Sequence, residues 1–323
     1  MQNQHTFFGF VIFMLVLTII YYSHLEQHVE HVGTKMFYPH PYVSRHIRGN
    51  RSYALRVEDI FITVKTSKLF HTTRLTFIIN TWFNQAKDQI FFVTDDDDID
   101  LHLKTNGHVV NSHCGNTHEL QDLSCKTGKE YDLFMTTNKK WWCHFDDDNY
   151  VNINALVKFL GTFNWQEDFY IGRRSVTRKF GGVFHKKYVK FIFATGGAGV
   201  CISSALAKKM SPWCKNGEFL KTSKHLKHND DCTLGFIITN LLKVDLTLTK
   251  LFHSHLETLD TLNPASFSTQ VTLAHGAPDN VIIINNNTTN TTVFNTDLDP
   301  SRFYSLHCLI FPGLPMCKIS SEN

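Results

Sequence analysis

No Cys-x-x-Cys pair occurs among the eight cysteines of this 323-residue chain, which argues against a zinc ribbon or a thioredoxin-type site. There is no long Lys/Arg block, and a net charge of +3 is too small to argue for nucleic acid. No internal repeat is visible, and the one low-complexity piece is 285–292. The glycine-rich run ATGGAGVC (194–201) is not a P-loop, because no GK[ST] follows it. Neither acidic run has the alternate spacing and sixth-position glycine of an EF-hand. What is present is 42% hydrophobic and 19% charged residues, enough to build a sizeable core and to exclude wholesale disorder. The length suggests one large domain or two small ones.

The N-terminus differs from the rest. FFGFVIFMLVLTIIYY (7–22) has no charge. It is short for a membrane span, which wants about 17–25 residues, and no small-residue cleavage site follows. A signal anchor is the first reading, a cleaved signal the second and a buried helix the third. Residues 1–6 carry no Lys or Arg to mark orientation. They are too few for a domain, so the folded mass is expected after the span, on the lumenal side. Sequons at Asn50, Asn286, Asn287 and Asn290 agree with a lumen. Eight cysteines fit an oxidising compartment, though sequence alone does not choose their pairing. Residues 23–55 are polar, His-rich and hold Pro39 and Pro41, and read as a stem before a folded domain over 56–323.

From Ile60 the pattern alternates. IFITVKT (60–66) and QIFFVT (89–94) read as strands, with a helix through LTFIINTWF (75–83) between them, capped by Thr72 or Thr73. HVVNS (108–112) is a third strand and 119–135 a helix. WWCHF is a strand ending on aspartates, and Asn152 caps INALVKFL, whose Leu156, Phe159 and Leu160 form an apolar stripe. YIG (170–172) and FIFAT (191–195) are further strands, and helices are expected near 203–210 and from Asn229. Strands alternating with helices imply an α/β fold with a largely parallel sheet, where ligands bind beyond the carboxyl ends of the strands.

Two acidic runs fall at such ends. Asp146-Asp147-Asp148 is delivered by an apolar strand and followed at once by a capped helix, a rigid approach that suits a preorganised site. Adjacent carboxylates repel, so a cation or a donor cluster must offset them, and hard oxygen ligands suit Mg²⁺ or Mn²⁺ bridging to phosphates. The bland alternative is a solvated turn. TDDDDID (94–100) lacks a clear cap and stripe after it and reads as a solvated loop. In LFHSHLE, His253 and His255 lie two apart, on one face if the chain is extended, which is compatible with metal ligation, though chance is enough in a chain with 19 histidines. In HNDDCTLGF, Asp230 and Asp231 open a helix: capping explains them, and so does a general base at a helix start. Arg74 falls in the first turn of a helix, where a cation opposes the dipole unless an anion is bound.

Taken in order, DIFITVKT, FHTTR, FVTD, SCK, WWCHFDDDNYVN, FATGGAGVCIS, DDCTLGFII, FHSHLE and SRFYSLHC resemble the Fringe glycosyltransferases, from about Arg56 to Cys317. The resemblance implies a GT-A type α/β fold with a mixed, mostly parallel sheet flanked by helices. It implies an inverting, Mn²⁺-dependent transfer of N-acetylglucosamine from UDP-N-acetylglucosamine to the 3-hydroxyl of O-linked fucose on EGF-like repeats of Notch-type receptors and their ligands. It implies a single-pass type II Golgi membrane protein and modulation of Notch signalling. By the same resemblance Asp148 and His255 would hold the metal, Asp147 and Arg74 would contact the donor, and Asp231 would be the catalytic base. The implied disulfides are Cys114–Cys125, Cys143–Cys201 and Cys308–Cys317, with a Cys214–Cys232 bridge as a further expectation. This chain departs from the family pattern at Arg174 and Asn229, both usually Pro, and in the 285–292 loop. The rival readings are a β1,3-galactosyltransferase-like enzyme of the same fold and a non-catalytic lumenal sugar-binding protein.

Overall fold

The computed structural model describes residues 53–260, 262–276, 282–284 and 293–318. The expected anchor, all but the last three residues of the stem, and the sequons at Asn50, Asn286, Asn287 and Asn290 lie outside the described residues.

Among the described residues the strands, in chain order, are β1 (Ile60–Lys65), β2 (Ile90–Thr94), β3 (Val109–Asn111), β4 (Trp141–Asp146), β5 (Asn149–Val151), β6 (Tyr170–Gly172), β7 (Phe180–Phe184), β8 (Lys187–Phe191), β9 (Val200–Ser203), β10 (Leu246–Leu248) and β11 (Thr272–Ala274). The helices are α1 (Arg74–Asn80), α2 (Ile99–Lys104), α3 (Leu120–Met135), α4 (Ile153–Leu160), α5 (Ser204–Cys214), α6 (Glu218–Leu226), α7 (Asp230–Gly235) and α8 (Phe303–Ile310). Seven strands form one sheet in the order β10-β6-β9-β4-β1-β2-β3. Only β9 runs against its neighbours. The expected mixed, mostly parallel α/β sheet is therefore present.

The period-two pattern divides the core between the two faces of the sheet. Ile60, Ile62 and Val64 of β1, with Trp141, Cys143 and Phe145 of β4, pack with Leu75 and Ile78 of α1, Leu156 and Leu160 of α4, and Phe303 of α8. Phe61 and Trp142 point the other way, with Tyr131 and Phe134 of α3 and Met210 of α5. Phe159 completes the stripe of α4 as a partly buried neighbour of the first core. The same alternation sends Thr63, Lys65, His144 and Asp146 toward the α3 face. The β1–β4 register pairs Lys65 with Asp146, so both strands finish at one edge.

The three disulfides implied by the resemblance are present, and Cys143–Cys201 joins directly paired residues of β4 and β9. The expected Cys214–Cys232 bridge is not. Both thiols are free and buried, within the α5-side core, where burial pushes each thiol up.

Other expectations need correction. The helix expected over 75–83 stops at Asn80 and continues as a tighter turn, Trp82–Gln85, and Thr73 makes no side-chain cap. FIFAT is not a strand: its first residue ends β8, in the hairpin β7–β8, and Ala194 makes one isolated bridge to Arg174. His253 and His255 do not share a strand face. His253 is buried and held by Gln270 at 2.9 Å, while His255 sits in a turn.

Candidate active site

The edge where β1 and β4 end opens into a cavity of about 990 Å³. Asp146, Asp147, Asp148, Arg74, Asp231 and His255 all line it, with Gly196 and Gly197 as part of one wall. The turn that carries the three aspartates is fixed by Asn149. Its buried Nδ2 donates to the Gly197 carbonyl at 2.9 Å, and its Oδ1 accepts from the Asp146 amide at 3.3 Å. The Asp148 carbonyl accepts from the His275 amide at 2.9 Å, next to the β5–β11 ladder. Asn152 then caps α4, accepting from Ala155 N at 3.1 Å, as the sequence predicts.

The three carboxylates have different surroundings. Asp147 is 4% exposed, and both its oxygens are taken. Arg74 Nη1 donates to Oδ1 at 2.6 Å and Thr66 Oγ1 to Oδ2 at 2.7 Å. Burial pushes this carboxyl up to about 6, against the pull of Arg74. Arg74 lies 3.9 Å over the Phe70 ring, so its half-exposed guanidinium is presented to the cavity from a fixed position. Asp148 Oδ2 is 3.3 Å from His255 Nδ1, and this contact raises the imidazole above its ordinary value. Two glycines make room for that ring. A Cβ at Gly197 would come within 2.8 Å of His255 Cε1, and one at Gly276 within 2.6 Å of His255 Cβ. Asp146 faces inward, 3.4 Å from His144 Nε2 and 3.7 Å from Lys65 Nζ. Burial opposes its charge, yet Lys65 and His144 hold it below the usual carboxylate range.

Beside Gly196, Asp230 and Asp231 begin α7 and also line the cavity. Asn229 makes no side-chain cap there, and Asp230 is occupied elsewhere. Its Oδ2 accepts from Lys65 Nζ and, at 2.7 Å, from Thr127 Oγ1. Asp231 has one oxygen on the Cys232 amide, at 2.6 Å. Burial, then the charge of Asp230, pushes Asp231 up to about 6. It stands beside Gly196, where a Cβ would lie 3.6 Å from that of Asp231. The cavity thus has a carboxylate–imidazole pair beside Gly197 and, beside the adjacent Gly196, a carboxylate tuned to accept a proton near neutral pH.

Sequence reasoning missed the groups behind these residues. Lys65 connects Asp230 to Asp146. His144 Nδ1 is 2.6 Å from the fully buried Glu130, which also accepts from Thr63 at 2.7 Å. Alternation in IFITVKT and WWCHF places Lys65 and His144 on one face, and that was the available signal. Glu130 gave none, because a mid-helix Glu reads as exposed.

The other acidic run is structural, but not solvated throughout. Asp95 is buried and paired with Lys126 at 2.7 Å. Asp98 caps α2 by accepting from Leu101 N at 2.9 Å and pairs with His71 at 2.9 Å, so the helix start that the sequence left without a cap has one. None of Asp95 to Asp98 lines the cavity.

No group of three or more His, Cys, Asp or Glu placed to hold a metal occurs among the described residues. Asp148 and His255 supply two donors, one hard oxygen and one imidazole nitrogen, open to the cavity. By donor type the pair would suit a divalent cation such as Mn²⁺.

A family model described as Fringe-like matches residues 55–314. Beta-1,3-N-acetylglucosaminyltransferase radical fringe of Gallus gallus is 43% identical over 291 residues, 86% of this chain and 77% of that one. The lunatic fringe enzyme of Danio rerio is 44% identical over 268 residues, 81% of this chain and 71% of that one. Fringe glycosyltransferase of Drosophila melanogaster is 43% identical over 270 residues, 81% of this chain and 64% of that one. Among solved structures, mannose-1-phosphate geranyltransferase from Thermus thermophilus matches with a TM-score of 0.36 at 11% identity, covering 60% of this chain and 75% of that one, a likeness too slight to argue from. The protein is a glycosyltransferase. More narrowly, the chain belongs to the Fringe family.

Proposed function

We propose that this glycosyltransferase moves N-acetylglucosamine from UDP-N-acetylglucosamine to the 3-hydroxyl of O-linked fucose on EGF-like repeats of Notch-type receptors, with inversion. The sugar and linkage follow the names of its relatives. The observation that carries the mechanism is the placing of Asp148–His255 and Asp231 on one cavity. Asp231 takes the proton from the fucose 3-hydroxyl as that oxygen bonds to the anomeric carbon and the bond from that carbon to the UDP oxygen breaks. A single displacement inverts the anomeric centre and needs no covalent sugar–enzyme intermediate. Asp148 and His255 would hold Mn²⁺, which when bound offsets the charge that grows on departing UDP. Arg74, fixed by Asp147 and Phe70, offers a further cation to the diphosphate or the acetamido oxygen. Residues 7–22 would anchor the chain in the Golgi membrane, type II, and three disulfides suit that lumen.

The test is to offer the full chain a panel of UDP-sugars, Mn²⁺ and an O-fucosylated EGF-like repeat. Transfer of N-acetylglucosamine in β1,3 linkage is expected. Transfer only from UDP-galactose would move the protein to the galactosyltransferase class, and no transfer from any donor by folded protein would favour a sugar-binding role.

A further inference from the structure

Residues 173–190 hold seven Lys and Arg and no Asp or Glu, more positive charge than the net +3 of the whole chain. They do not form a contiguous block: Lys186, Lys187 and Lys190 lie in the β7–β8 hairpin and its turn, and Arg178 and Lys179 directly precede it. Arg173 is paired with Glu257, and Arg174 is partly buried. The other five, Arg178, Lys179, Lys186, Lys187 and Lys190, are exposed and in no ion pair among the described residues.

Register sorts the two faces of the hairpin. Phe180 with Phe191 and Gly182 with Val189 face the protein, and Phe180 and Phe191 meet the His228 ring edge-on. Val183 pairs with Tyr188 on the outer face, where they are 54% and 67% exposed. Lys190 Nζ is 5.9 Å from the Tyr188 ring. The turn between the strands is His185–Lys186, with φ of 47° and 63°. Such a two-residue turn favours Asn-Gly, so two side chains are held at its tip at a conformational cost. The His185 ring lies 5.1 Å from that of His225 on α6, which carries exposed Lys224 beside it.

The hairpin also stands at the base end of the site. β8 leads through Phe193 into the Gly196 wall, and Gly182 lies so close to His228 that a Cβ would meet that ring at 3.1 Å. His228 is two residues before Asp230. On the outer face an exposed valine–tyrosine pair thus has Lys190 beside it and Lys186 at the adjoining tip, while Lys187 pairs with Phe184 on the other face; an amphipathic pair with basic neighbours is the pattern of a protein-recognition patch with a basic rim.

We propose that the 180–191 hairpin is a second contact for the acceptor, binding an acidic face of the polypeptide that carries the accepting sugar, outside the cavity. The proposal rests on the glycoprotein acceptor of the functional reading above. Its test uses the full chain and the combined Lys179→Glu, Lys186→Glu and Lys190→Glu variant, with Tyr188→Ala as a separate, milder one. Two acceptors are compared, a fucosylated EGF-like domain with an acidic surface and a small aryl α-fucoside. The charge-reversed variant should raise KM for the domain on the order of tenfold at low salt, with kcat unchanged. KM for the fucoside should stay at the wild-type value, and Lys→Arg changes at the three positions should restore the domain's KM.

An unchanged KM for the domain overturns the proposal, as does an equal rise for both acceptors. Loss of binding to heparin or anionic vesicles without any change for the domain also overturns it, and assigns the patch to a polyanion. If wild-type protein transfers to neither acceptor, the functional reading fails separately. Calorimetric binding of the EGF-like domain to wild-type and charge-reversed chains then decides the hairpin's role: weaker binding by the variant upholds it, equal binding ends it.

Discussion

Asp147 and Asp231 are both pushed up to about 6 by burial, but their second neighbours differ. Arg74 pulls Asp147 down, whereas the charge of Asp230 pushes Asp231 further up. Asp231 must be ionised to take a proton, so kcat/KM should fall as pH drops through about 6. Asp230→Asn removes the charge that raises Asp231 and leaves Lys65 less compensated, and both changes lower the Asp231 value. The acidic limb of the pH–rate profile is therefore expected to move to lower pH, and a move upward would count against Asp231 as the base. Gly197→Ala tests the carboxylate–imidazole pair. Its new methyl would meet the His255 ring, the end of a partly exposed side chain that can rotate away, so folding should be little affected. Displacing His255 from Asp148 should weaken Mn²⁺ affinity about 10–100-fold, read by metal titration. Unaltered affinity would show that His255 is not a ligand. At this scale the resemblance named acids, Arg74 and His255 that face the cavity, but not Lys65, which lines it too. Lys65, His144 and Glu130 stayed hidden because strand and helix patterns carry no sign of which polar groups meet behind a wall.

The element that matters most is the turn between β4 and β5. Asn149 ties it to the glycine-rich turn, while Asn152 ends it by capping α4. Asn152→Ala loses the cap and also the Nδ2 bond to the Ser268 carbonyl, and is expected to cost about 1–3 kcal/mol. Asn149→Ala leaves the buried Gly197 carbonyl without this partner and should cost about 1–3 kcal/mol. Urea unfolding checks both, and wild-type stability in either variant would contradict these roles. Asn152 was legible because a cap followed by an apolar stripe is a local signal. Asn149 was not, because its partner lies 48 residues away. The β7–β8 hairpin was missed for a related reason. FGGVF and KKYVK are too rich in glycine and lysine to read as strands, and only pairing with each other makes them so. FIFAT read as a strand because it is apolar, yet Ile192–Thr195 crosses under α7 with one bridge.

For the molecule as a whole, ionisation ties stability to pH. His144 is raised to about 9, so its favourable pairing with Glu130 is fully present below the ordinary value of 6.5 and is lost as pH rises through about 9. The raised acids Asp147 and Asp231 act the same way at lower pH, since the folded chain holds their protons to about 6 while the unfolded chain releases them near 3.8. Lowered His307 opposes these acids below 6.5, so the clear expectation is that Tm of the ligand-free protein declines from about pH 6.5 toward pH 9, and His144→Gln should flatten that decline. A Tm that rises across that range would contradict the assignment. The fold class was legible at this scale because strands and helices alternate along the chain. The lone reversed strand, β9, was not, since direction is set by pairing and leaves no local trace. The carboxylate–imidazole pair and Asp231 are given separate tasks here, and one paired measurement tests that division most directly: Mn²⁺-dependent UDP binding by calorimetry beside sugar transfer, for Asp231→Asn and Asp148→Ala. Asp231→Asn should bind UDP and Mn²⁺ as wild type does and lose transfer by about 10²–10⁴-fold; Asp148→Ala should lose both. Transfer retained by Asp231→Asn, or Mn²⁺-dependent binding retained by Asp148→Ala, would contradict the account.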